Sequence, residues 1–213
     1  MKYDVVIFDW NGTVIDDVGA CLEILNTLLA RYDLPSVELG KYREAFGFPV
    51  IEYYKRVGFD FNGYTFEDVA SKFVPMYDDA YPKCSLYEGV VDLIKDLRKN
   101  GVKVILLSAT EKGSLKEQTD YFGVSDCFDE IIGTDNFHGK SKTEEAKEFV
   151  KREEFAGKKI LLVGDTDYDY LVAEEIGVDC ALMSYGHKSL KSLKKCTQKV
   201  FSDAQELAEF LGK

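Results

Sequence analysis

Two kinds of apolar pattern divide the chain. Val5-Val6-Ile7-Phe8 is an unbroken run of β-branched and aromatic residues, which predicts a short strand buried on both faces. The run breaks at Asp9, and Asn11-Gly12 supplies the turn chemistry that ends it. From Asp16 to Lys83 strand-like runs are absent. Asp16-Asp17 stands where a helix cap belongs, ahead of Cys21, Leu22, Ile24, Leu25, Leu28 and Leu29 at helical spacing, and Pro35 stops that segment. Further amphipathic segments are expected at Leu39–Phe46, Ile51–Val57 and Phe66–Tyr81, separated by Gly47-Phe48-Pro49 and by residues 58–63.

From Tyr87 onward helices and strands alternate. Helices are predicted at Val90–Lys99, Lys112–Phe122, Thr143–Val150, Tyr168–Ile176 and Ala204–Leu211, with Gly101, Gly123 and Gly177 at C-terminal stops. Strands are predicted at Val102–Leu107, Phe128–Ile132, Lys159–Val163 and Cys180–Met183, with Val200-Phe201 near the end. His138–Ser141 and the basic segment Gly186–Lys195 read as polar connections. Strand–helix alternation implies the α/β class: a Rossmann-like, doubly wound parallel sheet with helices on both faces. The core is expected to comprise residues 1–15 and 84–213, with 16–83 inserted as a helical cap domain.

Three predicted strands end in a polar residue: Asp9, Ser108 and Asp165. In a parallel sheet all C-terminal ends lie along one edge, so residues distant in sequence converge there, where open α/β sheets bind ligands. Composition narrows the class of ligand. The 213 residues are 46% hydrophobic and 31% charged, ordinary for a globular enzyme or binding protein. The formal charge of -11 argues against a nucleic-acid partner. No apolar run has the length of a membrane span, and the first strand begins at once, so neither anchor nor signal peptide is expected. Cys21, Cys84, Cys127, Cys180 and Cys196 are odd in number and form no CxxC pair, which fits reduced thiols in the cytoplasm. Nothing in the chain speaks to oligomeric state.

Asp9-Trp10-Asn11-Gly12-Thr13, the strand-end Ser108, a lysine near position 140, and Gly164-Asp165-Thr166 with Asp169 occur in the order and at the spacing of the haloacid dehalogenase superfamily of hydrolases. The chain resembles that family over nearly its whole length and is similar to its phosphoglycolate phosphatase branch, with the 16–83 insert similar to a helical cap. The resemblance implies a Mg²⁺-dependent hydrolase of a small phosphorylated metabolite. Asp9 is then the nucleophile that forms an aspartyl-phosphate. Asp9, Asp165 and the backbone carbonyl of Asn11 become metal ligands, with Asp169 as ligand or support. Ser108 and the backbone N–H groups of Gly12, Thr13 and Ala109 would bind phosphoryl oxygens. The motif lysine is Lys142 or Lys140, with Lys142 favoured because it follows a small residue at a helix start.

One position departs from the family pattern. Phosphatases of this kind usually carry Asp two residues after the nucleophile, as acid for the leaving oxygen and base for water. Here that residue is Asn11, and an amide exchanges no proton near neutral pH, which typically costs about 10²–10⁴-fold. Two alternatives follow: phosphonate or carbon–halogen hydrolysis on the same fold, or a phosphate-binding protein without turnover. Asn11→Asp is expected to create or raise turnover if the remaining site is competent. Specificity is expected in the cap, from Arg43, Phe46, Gly47 and Tyr54 around the Gly-Phe-Pro turn, with Arg43 able to meet a substrate carboxylate or simply solvent. Tyr77 and Tyr81 read as cap core. His187 and His138 receive no role.

Overall fold

A computed structural model describes residues 1–135 and 141–212. Its centre is β1 (Val5–Phe8), flanked in parallel by β4 (Lys103–Glu111) and β6 (Ile160–Gly164). With β5 (Glu130–Thr134), β7 (Asp179–Met183) and β8 (Val200–Phe201) they form a six-stranded parallel sheet of order β5-β4-β1-β6-β7-β8. Strand order reverses on either side of β1, which creates a crevice at its C-terminal end.

Alternate residues of each central strand enter different cores. Val6, Phe8, Leu161 and Val163 pack against α6 (Val90–Lys99), α7 (Lys112–Tyr121) and α11 (Ala204–Gly212). Val5, Ile7, Ile160 and Leu162 pack against α8 (Lys142–Val150), α9 (Asp167–Ile176) and α10 (Leu190–Cys196). Continuous apolar strands thus satisfy two covered faces. Between β2 (Ile15–Asp16) and β3 (Ser85–Leu86), which pair antiparallel, lie α1 (Val18–Arg31), α2 (Leu39–Ala45), α3 (Val50–Val57), α4 (Phe66–Ala70) and α5 (Phe73–Ala80). These helices share a core of their own, including Leu25, Leu28, Leu29, Tyr54, Phe59 and Val69.

Several elements differ from the sequence reading. The expected Phe66–Tyr81 helix breaks at Ser71-Lys72, and its first part is fixed by a capping box between Thr65 and Asp68. β4 runs past Ser108 to Glu111 through a shift in register after Leu107. β5 begins at Glu130 rather than Phe128, because the Asp129 carboxylate accepts the Val104 N–H at 2.8 Å just outside the ladder. The lysine-rich segment before residue 196 is helical, as α10, although only Leu193 of it is buried. Asp17 occupies the N-cap position of α1 but makes no capping bond.

The double-sided core carries a stability prediction. Leu162 is fully buried in β6, whereas Leu171 on α9 is 58% exposed. Leu162→Ala should cost about 2–5 kcal/mol in urea unfolding, and Leu171→Ala at most about 0.5 kcal/mol.

Candidate active site

β1 continues its ladder one bond beyond Phe8, as the Asp9 N–H donates to the Val163 carbonyl at 2.8 Å. That bond delivers the Asp9 side chain to the C-terminal edge, beside Ser108 on β4 and Asp165 just after β6. The convergence expected from three polar strand ends is therefore present on three adjacent strands. Trp10 turns the other way into the core, where its ring N–H donates to Gln118 Oε1 on α7 at 2.8 Å. Gly12 has φ +68°, and a Cβ there would stand 2.3 Å from Asp165 Oδ2. Only glycine lets this loop close on that carboxylate.

Lys142 opens α8 and reaches back across the crevice. Its ammonium donates to Asp9 Oδ1 at 2.5 Å and to Asp169 Oδ1 at 2.6 Å, and all three side chains are buried. Asp169 Oδ2 accepts from the N–H groups of Asp165 and Thr166 and from the Thr166 hydroxyl. Thr166 and Asp169 are the capping box of α9, so one local helix-start signal also holds the lysine. Lys140, the alternative motif lysine, and His138 lie outside the described residues.

Asp9, Asp165 and Asp169 bring carboxylate oxygens within 4.8 Å of one another. Burial, reinforced by the neighbouring Asp169 charge, pushes Asp9 up to about 7 despite Lys142. Burial likewise pushes Asp165 up to about 8, opposed by His187 and reinforced by Asp169 and Asp9. Asp169 is held below the usual range, because Lys142 and Thr166 outweigh its burial. Lys142 is raised, its two carboxylate partners outweighing burial. Three carboxylates with one ammonium leave an excess of negative charge suited to a hard divalent cation. Both oxygens of Asp169 are held by protein donors, those of Lys142 and Thr166 among them, while Asp165 accepts only the His187 N–H and a long Thr13 contact at 3.4 Å.

Ser108 is buried, donating to the Thr110 hydroxyl at 3.1 Å and accepting the Thr110 N–H at 3.1 Å. Ala109 is exposed beside it, and the Thr13 hydroxyl donates to Asp165 Oδ1 at 3.4 Å. Asn11 accepts from the Thr110 hydroxyl and donates to Asp17 Oδ2 at 2.8 Å and to the Tyr77 hydroxyl at 2.7 Å. Asp17 and His187, read as a helix cap and an unassigned loop residue, therefore belong to the site's surroundings, and Tyr77 sits in the core of the insert as expected while its hydroxyl reaches Asn11 and Asp17. His187 donates its backbone N–H to Asp165 Oδ2 at 2.6 Å and places Nε2 3.0 Å from Asp17 Oδ1. Its Nδ1 meets the Tyr42 hydroxyl of α2 at 2.7 Å, and Phe46 stacks on its ring at 4.7 Å. Burial opposes charge on His187, but Asp17 outweighs it and raises the imidazole to about 9. The Asp17 carboxyl is correspondingly lowered: His187, Asn11 and Tyr77 outweigh its burial.

The cap residues expected to contact substrate divide in two. Gly47 lies where the Lys188 ammonium and the Arg56 guanidinium approach, at 3.1 and 3.3 Å from a Cβ built there, and Lys188 pairs with Asp167 at 3.0 Å. Arg43 instead donates to the Tyr185 carbonyl and ties the cap to the loop after β7. Tyr54 is buried in the cap core against Phe59. The sequence signals for Asp17 and His187 were a second acid beside a helix start and a histidine after Tyr185-Gly186. Neither signal states a partner.

A model of the haloacid dehalogenase-like hydrolases matches residues 6–183. Phosphoglycolate phosphatase 1 of Pseudomonas aeruginosa is 28% identical over 192 residues, spanning 86% of this chain and 70% of that protein. Among solved structures, a haloacid dehalogenase-like family hydrolase from Streptococcus pneumoniae superimposes with a TM-score of 0.79 at 16% identity, over 99% of each chain. Protein tyrosine kinase A of Mycobacterium tuberculosis superimposes with a TM-score of 0.77 at 22% identity, over 100% of this chain and 99% of that one. Likeness at that identity is one of fold. With the family match running through all three strand ends and the Lys142 bridge, the chain belongs to the haloacid dehalogenase-like hydrolases.

Proposed function

We propose that this hydrolase is a Mg²⁺-dependent phosphatase of small phosphorylated metabolites, working through an aspartyl-phosphate on Asp9. The observation that carries the reading is the buried Lys142 bridge between Asp9 and Asp169, with Asp165 alongside. A carboxylate attacks a phosphate only where both negative charges are neutralised. Lys142 does this at Asp9 Oδ1 and leaves Oδ2 for attack. Asp9, Asp165 and the Asn11 carbonyl would hold Mg²⁺, which when bound supplies further neutralisation of the phosphoryl oxygens. Ser108 and the backbone N–H groups of Gly12, Thr13 and Ala109 would donate to those oxygens. The bond from Asp9 oxygen to phosphorus forms as the bond to the leaving oxygen breaks. Water then cleaves the aspartyl-phosphate, releasing phosphate and the free carboxylate.

Asn11 provides no proton, so esters with good leaving groups and acyl phosphates suit this site best. The names of the sequence relatives favour a phosphoglycolate-like substrate. Lys188 and Arg56 around Gly47, each also bonded to a carbonyl of residues 45–46, are two cations beside the one carboxylate of Asp167, and that net positive charge favours an anionic tail. Arg43, held on the Tyr185 carbonyl, serves cap closure in this reading.

With Mg²⁺, wild type should hydrolyse p-nitrophenyl phosphate and acetyl phosphate, and Asp9→Asn should lose at least about 10³-fold in kcat. Binding of phosphate or beryllofluoride, seen as a melting shift without turnover of either compound, would instead favour the non-enzymatic relative. A pH dependence follows for the metal-free protein. Asp9 and Asp165 sit at about 7 and about 8, above their unfolded values, so the native state binds protons more tightly there. Their contribution is complete at acidic pH and is lost as pH rises through about 7–8. Asp17 and Asp169, both lowered, act in the opposite sense and only at acid extremes. The melting temperature in EDTA should therefore fall between about pH 5.5 and about pH 8. Mg²⁺ should raise it more at the higher pH, where protons no longer compete for the carboxylates.

A further inference from the structure

Both amide hydrogens of Asn11 are used within the protein, one by Asp17 Oδ2 and one by the Tyr77 hydroxyl, while Oδ1 accepts from Thr110. Asp17 is fully buried and accepts from five groups: the Gly12 N–H, Asn11, Tyr77, His187 and, at 3.8 Å, the Cys21 thiol. An ionised carboxylate only accepts. Whatever stands at position 11, 2.8 Å from Asp17 Oδ2, must therefore donate. The amide of Asn11 does so. A carboxylate in its place would set two buried acceptors against each other, with no donor between them beyond the single Tyr77 hydrogen.

We propose that Asp17 is a positioning residue that dictates an amide at position 11 and fixes its orientation, so that positions 11 and 17 act as one carboxylate–amide pair. The pair has a definite symmetry. Exchanging the two side chains, by Asn11→Asp together with Asp17→Asn, turns the amide of position 17 into the donor to the carboxylate of position 11. The amide oxygen at 17 then accepts from Gly12 and His187. The Tyr77 hydroxyl reverses, accepting from position 17 and donating to position 11, and Thr110 still donates to position 11. The bonds between positions 11, 17, 77 and 110 are preserved, while the ion pair of His187 with the carboxylate at 17 becomes a neutral hydrogen bond and the weak Cys21 thiol contact is lost, and the carboxylate moves to position 11. Asn11→Asp alone thus fails to restore the missing acid, in contrast to the expectation from sequence, whereas Asn11→Asp with Asp17→Asn restores it. The catalytic half of this inference rests on the phosphatase reading; the pairing itself does not.

The test is a cycle of wild type, N11D, D17N and N11D/D17N. It is read by melting temperature and by kcat and KM on p-nitrophenyl phosphate and 2-phosphoglycolate, an alkyl ester that needs an acid. N11D should melt several degrees below wild type and lose about tenfold or more in kcat on both esters. The double variant should melt above N11D, regaining the part of the loss that comes from the facing carboxylates, with the remainder set by the missing His187–Asp17 ion pair. Its kcat on the alkyl ester should exceed wild type by about tenfold or more, and the gain on the alkyl ester should be larger than that on the aryl ester, whose leaving group needs no acid. If N11D yields no folded protein, N11D/D17A, which removes the second carboxylate outright, should fold. An N11D variant as stable as wild type and more active overturns the proposal, as does a double variant no more stable than N11D. If wild type and all variants leave both esters intact, the phosphatase reading fails, and the melting cycle still decides the pairing.

Discussion

Burying like charges together is the constraint around which this molecule is built. Asp9, Asp165 and Asp169 lie within a few ångströms of one another, out of water, at the edge of a sheet whose strands are otherwise apolar. Such an arrangement is tolerable only if each carboxylate is neutralised, hydrogen-bonded or protonated. Lys142 meets that demand for two of them, although an ammonium in the first turn of α8 faces the unfavourable end of that helix's dipole. The misplacement makes sense only across the crevice, where the lysine holds the ends of β1 and α9 in register. Asp165 is left with backbone and hydroxyl donors, and Asp9 with one oxygen unclaimed. Those are the two groups whose protons a cation would replace.

The core was legible because its strands are buried on both faces, so unbroken apolar runs and the glycines after helices mark nearly every element. The site was legible where a residue sits at a strand end: Asp9, Ser108 and Asp165 follow from topology alone once the sheet is parallel. Lys142 emerged from motif order, and Asp169 from its place in a helix start. What escaped was anything whose partner is a side chain from another element. Asp17 reads as a cap because the first turn of α1 follows it, yet its oxygens are taken by Gly12, Asn11, Tyr77 and His187. Tyr77 reads as cap core and is buried there, but its hydroxyl, like that of Tyr42, reaches a residue outside the insert. Arg43 looked like a substrate contact and is bound to a backbone carbonyl. Period and turn chemistry report which face is buried, not which hydroxyl finds which acid.

Cap and core meet through polar contacts above all. Tyr42 to His187, Tyr77 to Asn11 and Asp17, Arg43 to Tyr185 and Lys188 to Phe46 cross the boundary, and Phe46 on His187, Phe48 on Tyr168 and Tyr81 on Tyr121 and Phe122 add ring contacts.

Trp10 is the single tryptophan of the chain, and it follows Asp9 directly. Its indole is sealed in the core with its ring N–H on Gln118, so the backbone of this loop is anchored one residue away from the Asp9 carboxylate. The chain therefore carries an intrinsic optical reporter. Red-edge excitation isolates one fluorophore, coupled through a single peptide bond to Asp9 at the edge of the sheet, without any label.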